Sequence, residues 1–232
     1  MELPGNIAQA GSPQHVALFP LPDHVLLPGL ATPYRIFEPR YRALVADLLR
    51  LPSAERWIAV PRLAPGWERD YEGAPAFCPV ASVGRLADVA PLPNGEYHIV
   101  VEPEARCRIL EIASDRPYRL GRPEPYIDDP LPPAAAASLA VSLEGLVQST
   151  LALAQVLGPA AGELASLLRD RSNGELLVFR VGSVFVPEPD ERQRLIEARS
   201  PLARADQVLE RVVRLLELAS RRGPTKDRVP QG

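Results

Sequence analysis

The feature that most constrains the fold is a change of character at residues 128–133, "DDPLPP". Before it, apolar runs are short and broken by proline and glycine; most of the 27 prolines fall before residue 134. After it, apolar residues recur at helical spacing. One chain therefore carries two kinds of order, and its 232 residues suffice for one large domain or two small ones.

In the first part, "HVALFPL" (15–21), "ATPYRIF" (31–37), "RWIAVPRL" (56–63), "FCPVASVGRLADVA" (77–90), "EYHIVVE" (96–102) and "ARCRILEI" (105–112) read as strands. Asn94-Gly95 between two of them predicts a hairpin, because both residues tolerate positive φ. Pro20, Pro33, Pro61 and Pro79 point to edges and bends rather than central ladder positions. In 105–112, Arg106 and Arg108 fall on the face opposite Cys107 and Ile109, so one face is expected to be partly polar. Many short strands of this kind suggest a small sandwich or partly closed barrel. One helix interrupts them: Tyr41, Leu44, Val45, Leu48 and Leu49 share a face after Pro39, which suits a first helical turn.

In the second part, Leu139, Leu143, Leu146, Val147, Thr150 and Leu151 form a helical stripe that stops at Gly158-Pro159. A short helix is expected over 160–170. "NGELLVFRVGSVFV" (173–186) is open: its β-branched and aromatic content favours a strand, and its spacing allows a helix. "PDERQRLIEA" and a last helix after Ser200-Pro201 follow, the last burying Val208, Leu209, Val212, Leu215, Leu216 and Ala219. Residues 1–14 and 223–232 are expected to be disordered.

Composition removes several functions. A net charge of -3 gives no pull toward nucleic acid or anionic membrane. No uninterrupted apolar run approaches the ~20 residues of a membrane span, and the N-terminus lacks the pattern of a secretory signal. A cytoplasmic protein is expected, with Cys78 and Cys107 reduced and buried. The one lysine, Lys226, lies in the tail, so a P-loop or a Ser-Lys dyad has no lysine in the body of the chain. His15, His24 and His98 form no metal-binding pair, and no GxSxG or GxGxxG appears. No metal, cofactor or catalytic residue is expected.

The stretch "LFPLPDHVLLPGLATPYRIFEPRYRALVADLL" (18–49) resembles the opening of the Lon N-terminal, or Lon substrate-binding, domain. The matching elements are an LFPL strand (Leu18 to Leu21), an apolar strand closing in Pro28-Gly29, then Pro33 and Ile36, Phe37, Glu38, Arg40 and Tyr41 leading a helix. Residues 83–112 and 190–216 continue the likeness, and "PGWERDYEGAP" (65–75) is similar to stand-alone bacterial Lon-domain proteins. The resemblance implies an α+β fold. A PUA-like β-barrel or sandwich at 15–130, with one inserted helix, would be followed by a helical subdomain at 131–222. It also moves 173–186 toward helix. It implies recognition of unfolded polypeptide or a partner protein, as an adaptor or regulator in protein quality control. ATPase and protease modules are not expected here. The alternatives are an RNA-binding PUA-like module, which the acidic balance disfavours, and a hydrolase with an unrecognised site.

The residues around 34–42 have two readings. As a joint, Phe37 and Tyr41 pack between sheet and helix, Pro39 starts the helix, and Glu38 accepts backbone N–H bonds or pairs with Arg40. Pro28 and Gly29 belong to the same structural signature. As a site, Tyr34, Arg40 and Arg42 line a peptide groove. Arginines in a first turn oppose the helix dipole, so a carboxylate or a partner must hold them. Trp67 and Tyr71, in the loop 64–77, and any open strand edge are further candidates for peptide binding.

Overall fold

The structure is a computed structural model that describes residues 13–158 and 164–222. The expected disordered ends fall almost wholly outside the described residues. Six strands and five helices follow one another: β1 (Val16–Leu18), β2 (Thr32–Ile36), α1 (Pro39–Leu49), β3 (Trp57–Val60), β4 (Val80–Pro91), β5 (Tyr97–Ile112), β6 (Leu120–Pro125), α2 (Pro133–Leu157), α3 (Gly174–Phe185), α4 (Pro189–Glu197) and α5 (Pro201–Arg222). They group into two compact units. The first takes in the chain up to Asp128 together with Pro187–Glu197, so α4 belongs with the strands; the second holds Asp129–Val186 and the chain from Ala198.

In the first unit the strand order is β2-β5-β4-β3-β1-β6, and β6 also pairs with β5. The ring β5-β4-β3-β1-β6 is thereby closed, and β2 is an extra strand on the open side of β5. This closure depends on the length of β5. The sequence predicts two strands broken at Pro103. The structure has one strand of 16 residues, whose first half pairs with β2 and second half with β6. The bend at Pro103 is absorbed across the ladder by Gly84. A Cβ on Gly84 would lie 2.0 Å from the Glu102 carbonyl oxygen and 2.6 Å from the Pro103 Cα, so only glycine lets β4 come this close. Gly95, with φ of 76°, turns the β4–β5 hairpin as Asn94-Gly95 predicts.

Two expectations about strands are corrected. Val25 to Gly29 form no strand; Val25, Leu26 and Leu27 are buried as irregular chain. In the other direction β6, "LGRPEP", was not foreseen, because two prolines demote a run. Pro123 and Pro125 pair only with β5, at alternate positions, where β6 has no second neighbour to miss their N–H groups.

Inside the unit, α1 covers one face of the sheet. Tyr41, Leu44, Val45 and Leu48 pack with Phe19, Leu26, Ile36, Ile58, Leu86, Ile99 and Val101. A second cluster, Val16, Leu18, Ala59, Ala81, Val83, Cys107 and Ile109, fills the closed end. Both cysteines are free; Cys107 is buried and Cys78, expected buried, is half-buried. Arg106 lies on the expected polar face yet is buried, with its guanidinium bonded to Asp128 and, at 2.7 Å, to the Ile196 carbonyl at the end of α4. Arg62 pairs with Asp190 at 2.6 Å, and Gln193 donates to the Val80 carbonyl at 3.1 Å. These contacts fasten α4 to the strands.

In the second unit, α2 packs mainly on α5, and α3 packs on α5. Leu146, Val147, Thr150, Leu153, Val208 and Val212 are buried. The open segment 173–186 is helix α3. Its Asn173 side chain caps Leu176 N at 3.1 Å, and Leu177, Val178 and Val181 face inward. Helical packing has overridden its β-leaning composition. The short helix expected over 160–170 is a 3-10 turn at Leu164–Leu168; residues 159–163 lie outside the described residues. Ser200 Oγ accepts from Ala203 N at 3.2 Å, capping α5 ahead of Pro201. Arg204 is fully buried, bonded to the Ala198 carbonyl and lying over the Phe179 ring. By length and composition α2 is apolar enough to cross a membrane, which the absence of an uninterrupted apolar run did not suggest. Core helices of soluble proteins share that length and composition; in α2 the buried residues include Ser142 and Thr150.

Candidate functional site

The β2–α1 junction and the loop 64–77, which the sequence offers as separate candidates, meet in the first unit. Pro39 opens α1 after Glu38, whose backbone is extended (φ −66°, ψ 135°) and whose carbonyl accepts from Tyr41 N and Arg42 N. The Glu38 carboxylate makes no bond to the helix N-terminus. It accepts from Arg40 Nε at 2.8 Å and from the Tyr71 hydroxyl at 2.7 Å. The Arg40 guanidinium then lies 4.8 Å from the Tyr41 ring centroid and 5.1 Å from that of Tyr71. The Trp67 ring is 5.4 Å from the Tyr71 ring, near edge-on. Glu38 thus ties the helix entry to the loop. Arg40, which opposes the dipole, is held by an internal carboxylate.

A hollow of about 210 Å³ opens beside this tie, walled by Tyr34 to Glu38 along β2, by Phe19, Leu21 and Pro22, and by Tyr41 and Tyr71. Phe37 was expected between sheet and helix. Instead it is 60% exposed at the rim, because it follows Ile36, the last inward residue of β2, and alternation turns it out. Tyr41 fills the inner place, with its hydroxyl on the Pro20 carbonyl at 3.2 Å. Phe19 meets the Tyr34 and Tyr41 rings edge-on at 5.4 and 4.8 Å. Arg42 turns away and covers Gly95, so closely that a Cβ there would lie 2.4 Å from its guanidinium. Of the candidate residues, then, Tyr34, Arg40, Trp67 and Tyr71 come together and Arg42 does not.

Behind the hollow, His24 Nε2 and the Tyr34 hydroxyl are 2.9 Å apart. Burial, and next the Arg192 charge, hold the His24 imidazolium form below its ordinary range. Burial raises the Tyr34 and Tyr41 hydroxyls above theirs. Both phenols stay neutral, and Tyr41 donates to the Pro20 carbonyl. Sequence reasoning did not place Phe19, Leu21, Pro22 or His24 in the site. Their signal lies in the stretch "LFPLPDH" itself, which runs directly past the hollow. Among the described residues, no three of His, Cys, Asp and Glu are grouped so as to hold a metal ion.

The first unit is thus a small closed β-barrel with an appended edge strand and an aromatic hollow on that strand, and the second unit is helical. The chain belongs to the family described as the ATP-dependent protease La (LON) substrate-binding domain, matched over residues 15–214. It is 27% identical over 219 residues to Lon protease 2 of Myxococcus xanthus, covering 94% of this chain and 26% of that protein. It is 34% identical over 134 residues to Lon protease of Salinispora arenicola, covering 58% and 16%. The chain thus spans about a quarter or less of these curated relatives. Its fold is shared with the N-terminal domain of the Mycobacterium avium complex Lon protease (TM-score 0.63, 14% identity, 85% of this chain and 97% of that one). A Lon N-terminal domain protein from Xanthomonas campestris shares it too (TM-score 0.53, 24% identity, 84% and 97%).

Proposed function

We propose that this chain is a non-catalytic, polypeptide-binding module that serves as an adaptor or regulator in protein quality control. Its site is the hollow between β2, the 19–22 segment and Tyr71. The observation that carries this reading is Phe37, a large aromatic 60% exposed on the rim of an aromatic-lined hollow. Exposed aromatics beside a concavity are the usual anchors of protein recognition. Family membership supports a substrate-binding role, and the lack of lysine through the body of the chain speaks against Ser-Lys or P-loop chemistry in it. Tyr71 and Trp67 supply further ring surface. Arg40 is read as positioning Tyr71 through Glu38 rather than as touching the ligand.

The test is a fluorescence titration of reduced, carboxymethylated α-lactalbumin, a permanently unfolded chain, at two salt concentrations. Phe37→Ser and Tyr71→Ala are expected to weaken binding about tenfold or more, as hot-spot aromatics do. Because the contacts are apolar, affinity should change little with salt. Failure of the folded wild type to bind unfolded chain at all would sink the proposal.

A further inference from the structure

Strand β2 ends the sheet. On one side it pairs with β5, and among the described residues no strand pairs with its other side. Pro33 fixes what that free side offers. It lies opposite Val100 in the β2–β5 ladder and has no N–H to give. Prolines within sheets sit with the nitrogen turned away from the partner strand. Opposite residues of an antiparallel pair alternate between exchanging both bonds and exchanging none. Pro33–Val100 is therefore a pair of the second kind, Tyr34–Ile99 of the first, and Arg35–His98 of the second again. Arg35 consequently turns both its N–H and its C=O to the free side.

Open edges are ordinarily shielded by charge or proline. Here the shield is incomplete. Pro33 covers the start of the strand only. The Arg35 guanidinium is bound to Glu96 at 2.7 Å, on the β5 side, so its charge is drawn off the edge. The hollow runs alongside the unshielded part, since five consecutive residues, Tyr34 to Glu38, form one of its walls. Its volume of about 210 Å³ is below the ~300–1,000 Å³ of small-molecule sites. That size suits a single side chain.

We infer that the outer edge of β2 takes an extended segment of unfolded polypeptide as an added strand. The segment's main chain bonds to the Arg35 N–H and C=O, and one apolar or aromatic side chain enters the hollow beside Phe37 and Tyr71. This rests on the polypeptide-binding reading and deepens it by naming the mode of recognition. Main-chain bonding is indifferent to sequence, while the hollow asks for one apolar side chain. The partner is then an extended stretch with free N–H groups and an apolar residue, which folded proteins keep paired and buried.

Two substitutions at one position test it. Arg35→Ala removes the guanidinium and keeps the N–H. Arg35→Pro removes the N–H as well, at a place where the β5 ladder does not use it. The probe is a fluorescein-labelled decapeptide of Ser, Thr and Val with one central Phe. Arg35→Ala should bind within about twofold of wild type, and Arg35→Pro about tenfold or more weaker, the scale of one or two lost hydrogen bonds. Circular dichroism reports the fold of each. If folded Arg35→Pro binds like Arg35→Ala while Phe37→Ser does not bind, the edge inference is overturned and the hollow remains a site. If the wild type binds neither this peptide nor unfolded α-lactalbumin, both readings fall. Should Arg35→Pro not fold, the wild type is titrated with peptides N-methylated at one or the other set of alternate residues. Loss with one set only is expected, and binding indifferent to both sets overturns the inference.

Discussion

The two halves of β5 meet different neighbours. From residue 107 to 112 the strand pairs with β6, and at 107 and 108 with β4 as well, with Cys107 and Ile109 in the closed core and Arg106 buried at its start. From 97 to 101 it lies between β4 and β2, and among the described residues no strand pairs beyond β2, with Phe37 at its corner. Closure removes edges and buries the inward face, here Cys107 and Ile109, while Arg108 and Leu110 stay exposed. An open edge keeps hydrogen-bonding groups and apolar surface available. A single strand thus joins a closed end to an open one, and substitutions at the two ends should have different consequences.

The largest effect is expected at the closed end. Arg106→Ala removes the buried guanidinium and leaves Asp128 and the Ile196 carbonyl without it. Breaking such pairs costs about 3–5 kcal/mol; the low end, about 3 kcal/mol, is expected because Asp128 retains contact with water. A urea midpoint unchanged in Arg106→Ala would show that the closed end does not depend on it. Ile109→Ala, at a fully buried site, should cost a further and separable amount, about 2–5 kcal/mol, read from the same unfolding curves.

The open end should respond to acid. His24 binds its proton less readily when folded than the 6.5 of an ordinary histidine, first through burial and then through Arg192. Below about pH 6.5 the unfolded chain therefore holds more protons, and stability contributed by neutral His24 is lost as pH falls. Urea midpoints at pH 7.5 and pH 5 should drop more for wild type than for His24→Gln; equal drops would refute the assignment. The smallest stability effect is expected from Phe37→Ser. Being mostly exposed, Phe37 should change stability by no more than about 0.5 kcal/mol while binding of unfolded chain weakens about tenfold or more. If Phe37→Ser melts markedly lower than wild type, Phe37 is a structural residue and the contrast between the ends dissolves.

Much of the fold can be read in the sequence because local chemistry and tertiary structure agree. Asn94-Gly95 turns the hairpin it predicts, Pro39 opens α1, and Ser200-Pro201 opens α5. The exceptions arise where a partner strand decides. Pro103 reads as a break until Gly84 opposite it allows close approach. Pro123 and Pro125 read as breakers until β6 is seen to have only one neighbour beyond residue 121. For 173–186 composition argued for a strand, and burial of Leu177, Val178 and Val181 against helices decided otherwise. The candidate site was legible as a set of residue types but not as a place. Tyr34, Arg40, Trp67 and Tyr71 were all visible as candidates. That Glu38 would reach Tyr71 across 33 positions while holding Arg40, and that Arg42 would leave them, depends on loop closure no local pattern records.

The return of α4 to the strands bears on how the chain reaches this state. Arg62 finds Asp190 128 positions later, Val80 meets Gln193 across 113, and Arg106 meets the Ile196 carbonyl across 90. A nascent chain that has emerged only to residue 130 has every strand of the barrel and none of these partners. Arg62 then has Asp23 but lacks Asp190, and Arg106 has Asp128 but lacks the Ile196 carbonyl. Contacts of such sequence separation slow folding and leave incomplete intermediates exposed. The first unit therefore cannot finish on the ribosome before the helices between residues 133 and 186 have been synthesised, and cutting the chain at its most obvious sequence boundary would yield a barrel with unfilled bonds.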